Sequence, residues 1–150
     1  MIYGPTMAIA TGLYTGYLPK APGTWGSLAG VLLYLLLAGL PLPAYLLAIA
    51  VLLMVGTFTA GEAEKILDQK DPQVVVIDEI VGMLITLAGT RLEPLLLLAG
   101  FLLFRFFDIL KPFPINFIDQ RFHGGLGIML DDIVAGLFSL ALLRGISLFL

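Results

Sequence analysis

The sequence lacks cysteine and contains a single histidine, His123. The absence of cysteine excludes disulfides, thiolate metal sites and enzymes that use a cysteine nucleophile. One histidine leaves little room for a metal centre built from several imidazoles. Only eight lysine and arginine residues are present and the net charge is −3, which argues against a nucleic-acid partner.

Charged side chains of both signs are also scarce. They make up 13% of the 150 residues, whereas a soluble domain carries about 25%. Hydrophobic residues account for 59% of the chain, and the mean hydropathy is +1.03. Because so few charges cannot cover a water-facing surface, we expect a membrane protein, with residues 1–150 forming one domain. No positive residue precedes the apolar stretch at residues 7–18, so the N-terminus does not resemble a secretory signal.

Apolar segments separated by proline, glycine and charged residues predict an all-α, polytopic membrane bundle with about five apolar helices. The segments are residues 28–40, 44–60, 79–89, 94–107 and 133–143. Several are shorter than the ~20 residues that an upright span needs, so the helices extend into their polar flanks or the membrane is locally thin. The shorter stretch at residues 7–18 predicts an N-terminal interfacial or re-entrant helix.

If all five segments cross the membrane, residues 20–27, 61–78 and 108–132 share one side. That side would carry most of the basic residues, which marks it as cytoplasmic. The six basic residues on that side are Lys20, Lys65, Lys70, Arg105, Lys111 and Arg121. Ten of the eleven carboxylates fall on the same side, so we expect a multi-pass protein whose active site faces the cytoplasm.

Two pairs of adjacent carboxylates interrupt apolar runs, Asp78-Glu79 and Asp131-Asp132. A buried carboxylate is costly unless it is compensated, and two side by side repel each other unless a cation is present. Hard oxygen ligands suit Mg²⁺, so these four residues are the predicted metal ligands and catalytic residues, followed by Asp108. The alternative is that each pair caps a helix, one starting near Glu79 and the other near residue 133.

Predicted phosphate-binding residues lie in three segments. Arg105 and Lys111 flank Asp108 at a spacing of three, so the three residues share one helix face; the alternative is a pair of snorkelling cations. The segment at 20–27 combines a cation with two hydroxyls and a helix start, which suits phosphate; the alternative is an interfacial anchor in which Ser27 caps a helix beginning at residue 28. The segment at 123–127 combines a histidine with glycines whose backbone N–H groups could approach an anion; the alternative is a flexible glycine loop. The predicted set is Lys20, Thr24, Ser27, Arg105, Lys111, His123, Gly124 and Gly125.

Four of these stretches together resemble the phosphatidylglycerophosphatase A family. They are GTWGSL at 23–28, DP followed by VVIDEIVGM within 71–83, FRFFDILKPFPI at 104–115 and HGGLGIMLDDIVAG at 123–136. Order and spacing match, and the likeness runs from about residue 7 to 145. The resemblance implies a membrane-embedded, Mg²⁺-dependent phosphatase of the bacterial inner membrane. It implies a phospholipid substrate, phosphatidylglycerophosphate, whose terminal phosphate is removed, and the lipid bilayer as a partner; the oligomeric state stays open.

Two other function classes also use acidic clusters. A phosphatidyl-transferring membrane enzyme would do so, but its spaced aspartate–glycine–alanine–arginine pattern is missing from the sequence. A solute or ion carrier would hold carboxylates at the membrane midplane, whereas here they are expected at helix ends. The residues also leave open whether one carboxylate acts as a general base or as a nucleophile.

Overall fold

A computed structural model describes residues 4–149 of the chain. These residues form seven α-helices and one short 3₁₀ helix, with no β-strand among them, which confirms the all-α prediction. In chain order the helices are α1 (Gly4–Ala10), α2 (Pro22–Leu37), α3 (Leu42–Leu67), α4 (Ile77–Thr86), α5 (Pro94–Leu110), α6 (Ile115–Arg121) and α7 (Gly124–Ser147), and the 3₁₀ helix covers Thr15–Tyr17.

Helix α4 lies at the centre of the bundle. It packs most extensively against α7 and α2 and also contacts α3 and α5. Every residue of α4 except Glu79 is buried, because the sequence is apolar on all sides of the helix apart from its two carboxylates. With 10 residues, α4 is only about 15 Å long, half the ~30 Å hydrocarbon core of a bilayer.

Within residues 4–149, two helices are long and apolar enough to cross a membrane, α3 with 26 residues and α7 with 24. Helices α2 and α5 have 16 and 17 residues and fall below the ~20 that a span needs. The expectation of about five spanning helices is therefore wrong in number. The short helices are covered by protein on their inner faces, so their backbone ends do not have to reach both membrane surfaces.

Two helix starts differ from the sequence-based expectation. Helix α2 begins at Pro22 and not at residue 28, because proline is well suited to the first turn of a helix. Helix α7 begins at Gly124 and not at residue 133. Its glycines serve close helix packing: a Cβ on Gly125 would lie 1.9 Å from the carbonyl oxygen of Thr57 on α3. The glycine-rich stretch that resembled a turn is thus the first turn of a long helix.

The N-terminal stretch at 7–18 is divided into two short pieces. Helix α1 ends at Ala10, and Gly12 adopts a left-handed conformation with φ 61°. Met7 and Ala10 are fully buried, and the backbone N–H of Val76 donates to the carbonyl oxygen of Ala10 at 2.9 Å. Helix α1 therefore packs into the protein beside the start of α4; the part beyond residue 12 is the more exposed one.

The outer surface of the bundle is largely apolar. Large hydrophobic side chains on α2, α3 and α5 are half exposed or more, among them Leu32, Leu36, Leu47, Met54, Leu98 and Leu102. A soluble protein rarely leaves so much apolar surface uncovered. This surface agrees with the membrane association that the composition predicts.

Candidate active site

The three polar segments expected on one side of the membrane do meet at one end of the bundle. They form a cleft of about 330 Å³ between the start of α2, the segment before α4, the end of α5 and the first part of α7. Seven of the predicted site residues line it: Lys20, Asp78, Glu79, Arg105, Asp108, Lys111 and Asp131. Asp132 lies behind this wall and is only 2% exposed.

Helices α4 and α7 approach each other closely at two glycines. A Cβ on Gly136 would lie 2.8 Å from the carbonyl oxygen of Gly82. Each glycine follows an aspartate by four residues, in the sequences DEIVG and DIVAG, so Asp78 and Asp132 lie about one helical turn away from the crossing. The close crossing brings these aspartates together, and oxygens of Asp78, Asp131 and Asp132 lie within 4.8 Å of one another.

A second group of carboxylates shares Asp132 with the first. Glu79 from α4, Asp108 from α5 and Asp132 from α7 each place an oxygen within 4.8 Å of the other two. All five predicted acidic residues therefore belong to one cluster contributed by three helices. Asp108, ranked behind the two pairs from sequence, belongs to the second group.

Four oxygen atoms of this cluster are buried and lack a hydrogen-bond partner. They are Oδ1 of Asp78, Oε2 of Glu79 and both carboxylate oxygens of Asp132. Buried polar atoms almost always have a partner, and a buried carboxylate without one is costly. The donor set consists of hard carboxylate oxygens directed at a common space, which fits a bound Mg²⁺.

Helix capping does not explain the pair on α7. Asp131 and Asp132 lie about two turns inside the helix, and the residue that precedes its first turn is His123. Asp78 and Glu79 do lie in the first turn of α4, where the helix dipole favours negative charge. The helix dipole does not provide hydrogen bonds to their unpartnered oxygens. Capping therefore explains the pair on α4 only in part and does not explain the pair on α7.

Two cations at the end of α5 contact the cluster. Arg105 forms an ion pair with Asp108, and Nζ of Lys111 lies 2.7 Å from Oδ2 of Asp131 and 3.8 Å from Oδ1 of Asp108. Arg105, Asp108 and Lys111 thus share one helix face, as expected, and both cations contact Asp108 directly. Burial lowers the pKa of Lys111, but the charge and hydrogen bond of Asp131, with Asp132 and Asp108, raise it above its usual value. Lys111 stays a cation at neutral pH.

The segment at residues 20–27 contributes a cation and a glycine to the cleft. Lys20 and Gly23 line it, whereas the Ser27 hydroxyl is buried in α2 and donates to the carbonyl oxygen of Gly23 at 2.7 Å. Thr24 lies outside the cleft wall. A Cβ on Gly23 would come 2.8 Å from Nη1 of Arg105. Gly23, which begins the GTWGSL motif, was expected at the site as part of this segment but was not among the individual residues predicted to bind phosphate.

His123 and Gly124 line a neighbouring cleft of about 410 Å³ and not the carboxylate cleft, and Gly125 packs against α3. Asp71 lines both clefts, and its backbone N–H donates to Oε2 of Glu64 at 2.7 Å. Asp71 is not among the predicted site residues. Its position before the central helix, in a segment rich in carboxylates, was the signal for a residue at the mouth of the site.

The fold and the cleft define an all-α protein with a largely apolar outer surface and an acidic cleft at one end of the bundle. The family phosphatidylglycerophosphatase A matches residues 8–147. The chain belongs to the phosphatidylglycerophosphatase A family, as its motifs predicted, and is an enzyme of the phosphatase class. No solved structure gives a significant match.

Three relatives extend this comparison. A phosphatidylglycerophosphatase A from Haemophilus influenzae is 38% identical over 148 residues, covering 97% of this chain and 91% of the relative. The protein of the same name from Escherichia coli is 38% identical over 140 residues, covering 93% and 81%. A protein from Bacteroides thetaiotaomicron, provisionally named a phosphatidylinositol-3-phosphatase, is 37% identical over 142 residues, covering 90% and 89%.

Proposed function

We propose that this protein hydrolyses the terminal phosphate monoester of phosphatidylglycerophosphate. The products are phosphatidylglycerol and inorganic phosphate, and the reaction takes place with Mg²⁺ at the cytoplasmic face of a bacterial inner membrane. Two relatives whose matches cover 97% and 93% of this chain carry the name of this activity. The observation that carries the proposal is the set of unpartnered carboxylate oxygens that lies beside Arg105 and Lys111 in one cleft.

The acidic cluster is the proposed metal site. Asp78, Glu79, Asp131 and Asp132 would hold Mg²⁺, together with Asp108. A divalent cation bound there would withdraw charge from phosphoryl oxygens and lower the pKa of bound water. The same charge removes the mutual repulsion of carboxylates that the protein alone does not compensate.

The cations around the cluster are proposed to hold the phosphate. A phosphate monoester carries a charge of about −1.5 to −2 at pH 7. Arg105 and Lys111 are fixed in place by their ion pairs with Asp108 and Asp131, and Lys20 also lines the cleft. Water adds its oxygen to phosphorus and gives up a proton, the bond from phosphorus to the glycerol oxygen breaks, and the released glycerol oxygen takes up a proton.

The placement of the cleft suits a substrate that stays in the bilayer. Helices α3 and α7 are the two candidate spans, and the C-terminal end of α3 and the N-terminal end of α7 lie at the end of the bundle that carries the clefts. Six of the eight basic residues belong to this end, and Arg91 and Arg144 to the other. This charge asymmetry supports a cytoplasmic cleft, with the acyl chains beside the apolar outer surface.

The test is phosphate release by the purified protein from phosphatidylglycerophosphate in mixed micelles, with Mg²⁺ and with EDTA. We expect turnover that requires Mg²⁺. Phosphatidic acid and phosphatidylinositol 3-phosphate are the comparison substrates, the second because of the Bacteroides relative. Glu93→Gln is the control, since Glu93 pairs with Arg91 at the far end of the bundle. Faster release from phosphatidylinositol 3-phosphate would contradict the proposed substrate.

A further inference from the structure

Asp132 belongs to both groups of carboxylates in the cluster. It shares one group with Asp78 and Asp131 and the other with Glu79 and Asp108, and in each group the oxygens lie within 4.8 Å of one another. The adjacent residues Asp78 and Glu79 thus belong to different groups. Such an arrangement provides two neighbouring positions for a cation, and both positions include Asp132.

The unpartnered oxygens divide evenly between the two groups. Oδ1 of Asp78 belongs to a residue of the first group, and Oε2 of Glu79 to a residue of the second. Asp132 is 2% exposed, and neither of its two oxygens has a hydrogen-bond partner. Each group can therefore draw one free oxygen from α4 and one from Asp132.

The charge of the site also favours two divalent cations. Six carboxylates, the five of the cluster and Asp71 at the mouth of the cleft, face three cations, Arg105 and Lys111 in direct contact and Lys20 on the cleft wall, which leaves three negative charges. One divalent cation would leave one of those charges and the two or so of the incoming phosphate uncompensated. A second divalent cation would leave a single negative charge for the site and the phosphate together.

We propose that the cleft binds two divalent cations and that Asp132 bridges them, with one carboxylate oxygen for each. One cation is held by Asp78, Asp131 and Asp132, and the other by Glu79, Asp108 and Asp132. The inference rests on the proposed function insofar as that function requires Mg²⁺. It goes further by fixing the number of cations and assigning a bridging role to Asp132.

Mn²⁺ is the probe, because it accepts the same oxygen ligands as Mg²⁺ and is paramagnetic. Equilibrium dialysis of the purified full chain counts the Mn²⁺ bound, and electron paramagnetic resonance distinguishes isolated from spin-coupled ions. The unmodified chain should bind two Mn²⁺ with a coupled spectrum. Asp78→Asn and Glu79→Gln should each bind one, with the spectrum of an isolated ion.

Asp132→Asn is the decisive variant, since it affects both positions at once. It should bind fewer than one Mn²⁺ at a free concentration that fills both positions of the unmodified chain. Glu93→Gln is the control and should bind two. Circular dichroism without metal confirms that each variant is folded. An unmodified chain that binds one Mn²⁺, or an Asp132→Asn variant that retains a coupled pair, would overturn the bridge.

The dialysis result and the substrate assay can fail separately. One bound Mn²⁺ together with hydrolysis of phosphatidylglycerophosphate would refute the second cation and leave the proposed function intact. A coupled Mn²⁺ pair in a chain that does not hydrolyse that lipid would support the bridged site and refute the proposed substrate.

Discussion

The carbonyl oxygen of Gly82 occupies the space that a side chain on Gly136 would need, 2.8 Å from the position of its Cβ. This contact sets the distance between α4 and α7. Because Asp78 and Asp132 lie one turn away on the same helices, it also sets the distance between two carboxylates of the cluster. Packing at a position without any functional group therefore determines the geometry of the site.

Gly136→Ala should separate the two helices and impair the enzyme. Backbone cannot yield as a flexible side chain can, so we expect a loss of about 1–3 kcal/mol in the free energy of unfolding. Displacement of the carboxylates should lower kcat by roughly 10- to 100-fold. Melting curves and phosphate release measure the two effects. Gly145→Ala on the same helix is the control, because nothing lies within 4 Å of its new Cβ; a similar loss there would refute the packing argument.

Gly23→Ala should displace the guanidinium of Arg105, which lies 2.8 Å from the added methyl group. The flexible arginine can move, so the free energy of unfolding should change by less than about 1 kcal/mol. The ion pair with Asp108 would be lost, and we expect kcat/KM to fall by roughly tenfold. Steady-state kinetics tests this. Normal kinetics for Gly23→Ala would show that Arg105 does not act in the position described.

Glu79→Gln should abolish turnover and leave the metal-free protein as stable as before or more stable, because a buried charge and its repulsion disappear. Mg²⁺ should raise the Tm of the unmodified protein, since it binds only the folded state. Melting curves with and without Mg²⁺ measure both. Asp131→Asn provides the contrast: it removes the charge of the nearer of two carboxylate partners of Lys111, which should cost about 1–2 kcal/mol even without metal. An active Glu79→Gln protein would exclude the metal site.

Lys20 and Thr24 should differ in their contributions to substrate binding. Lys20 lines the cleft and Thr24 does not, although both are predicted phosphate-binding residues. We expect Lys20→Ala to lower kcat/KM by roughly tenfold, as loss of a charge-assisted contact does, and Thr24→Ala to lower it less than about threefold. A larger loss of kcat/KM for Thr24→Ala than for Lys20→Ala would place the phosphate nearer Thr24 than Lys20.

The cytoplasmic orientation can be tested with single cysteines, because the chain has none. Gln69→Cys and Gln120→Cys lie at the cleft end, and Leu92→Cys lies at the far end, all on exposed residues. An impermeant thiol reagent applied to intact cells should label Leu92→Cys and leave the other two unlabelled until the cells are opened. The opposite labelling pattern would place the cleft outside the cytoplasm.

Much of the acidic cluster could be predicted because charge is conspicuous in an apolar chain. Asp78, Glu79, Asp131 and Asp132 interrupt hydrophobic runs, and burial of such pairs demands compensation. Asp108 could be linked to Arg105 and Lys111 from their spacing alone. The division of the carboxylates into two groups depends on how three helices cross. Residue spacing within one helix does not contain that information.

The helix count and starts were harder to predict. An all-apolar helix looks the same whether lipid or protein surrounds it, so α4 resembled a membrane span. Gly124 and Gly125 resembled a turn because glycine has low helix propensity, which tertiary packing overrides. The repeated pattern of an aspartate followed four residues later by glycine, at 78–82 and 132–136, is the signal from which the crossing of α4 and α7 could have been found.

The burial of α4 has a consequence for the membrane itself. Beyond its carboxylates the helix continues with Val81, Met83, Leu84 and Ile85, all buried, and the Tyr45 hydroxyl donates to the Leu84 carbonyl oxygen. These residues form an apolar plug between the cleft and the opposite end of the bundle. In an energised bilayer such a plug would deny protons and ions a route across, so that five carboxylates could be kept at one end of the bundle without dissipating the proton gradient.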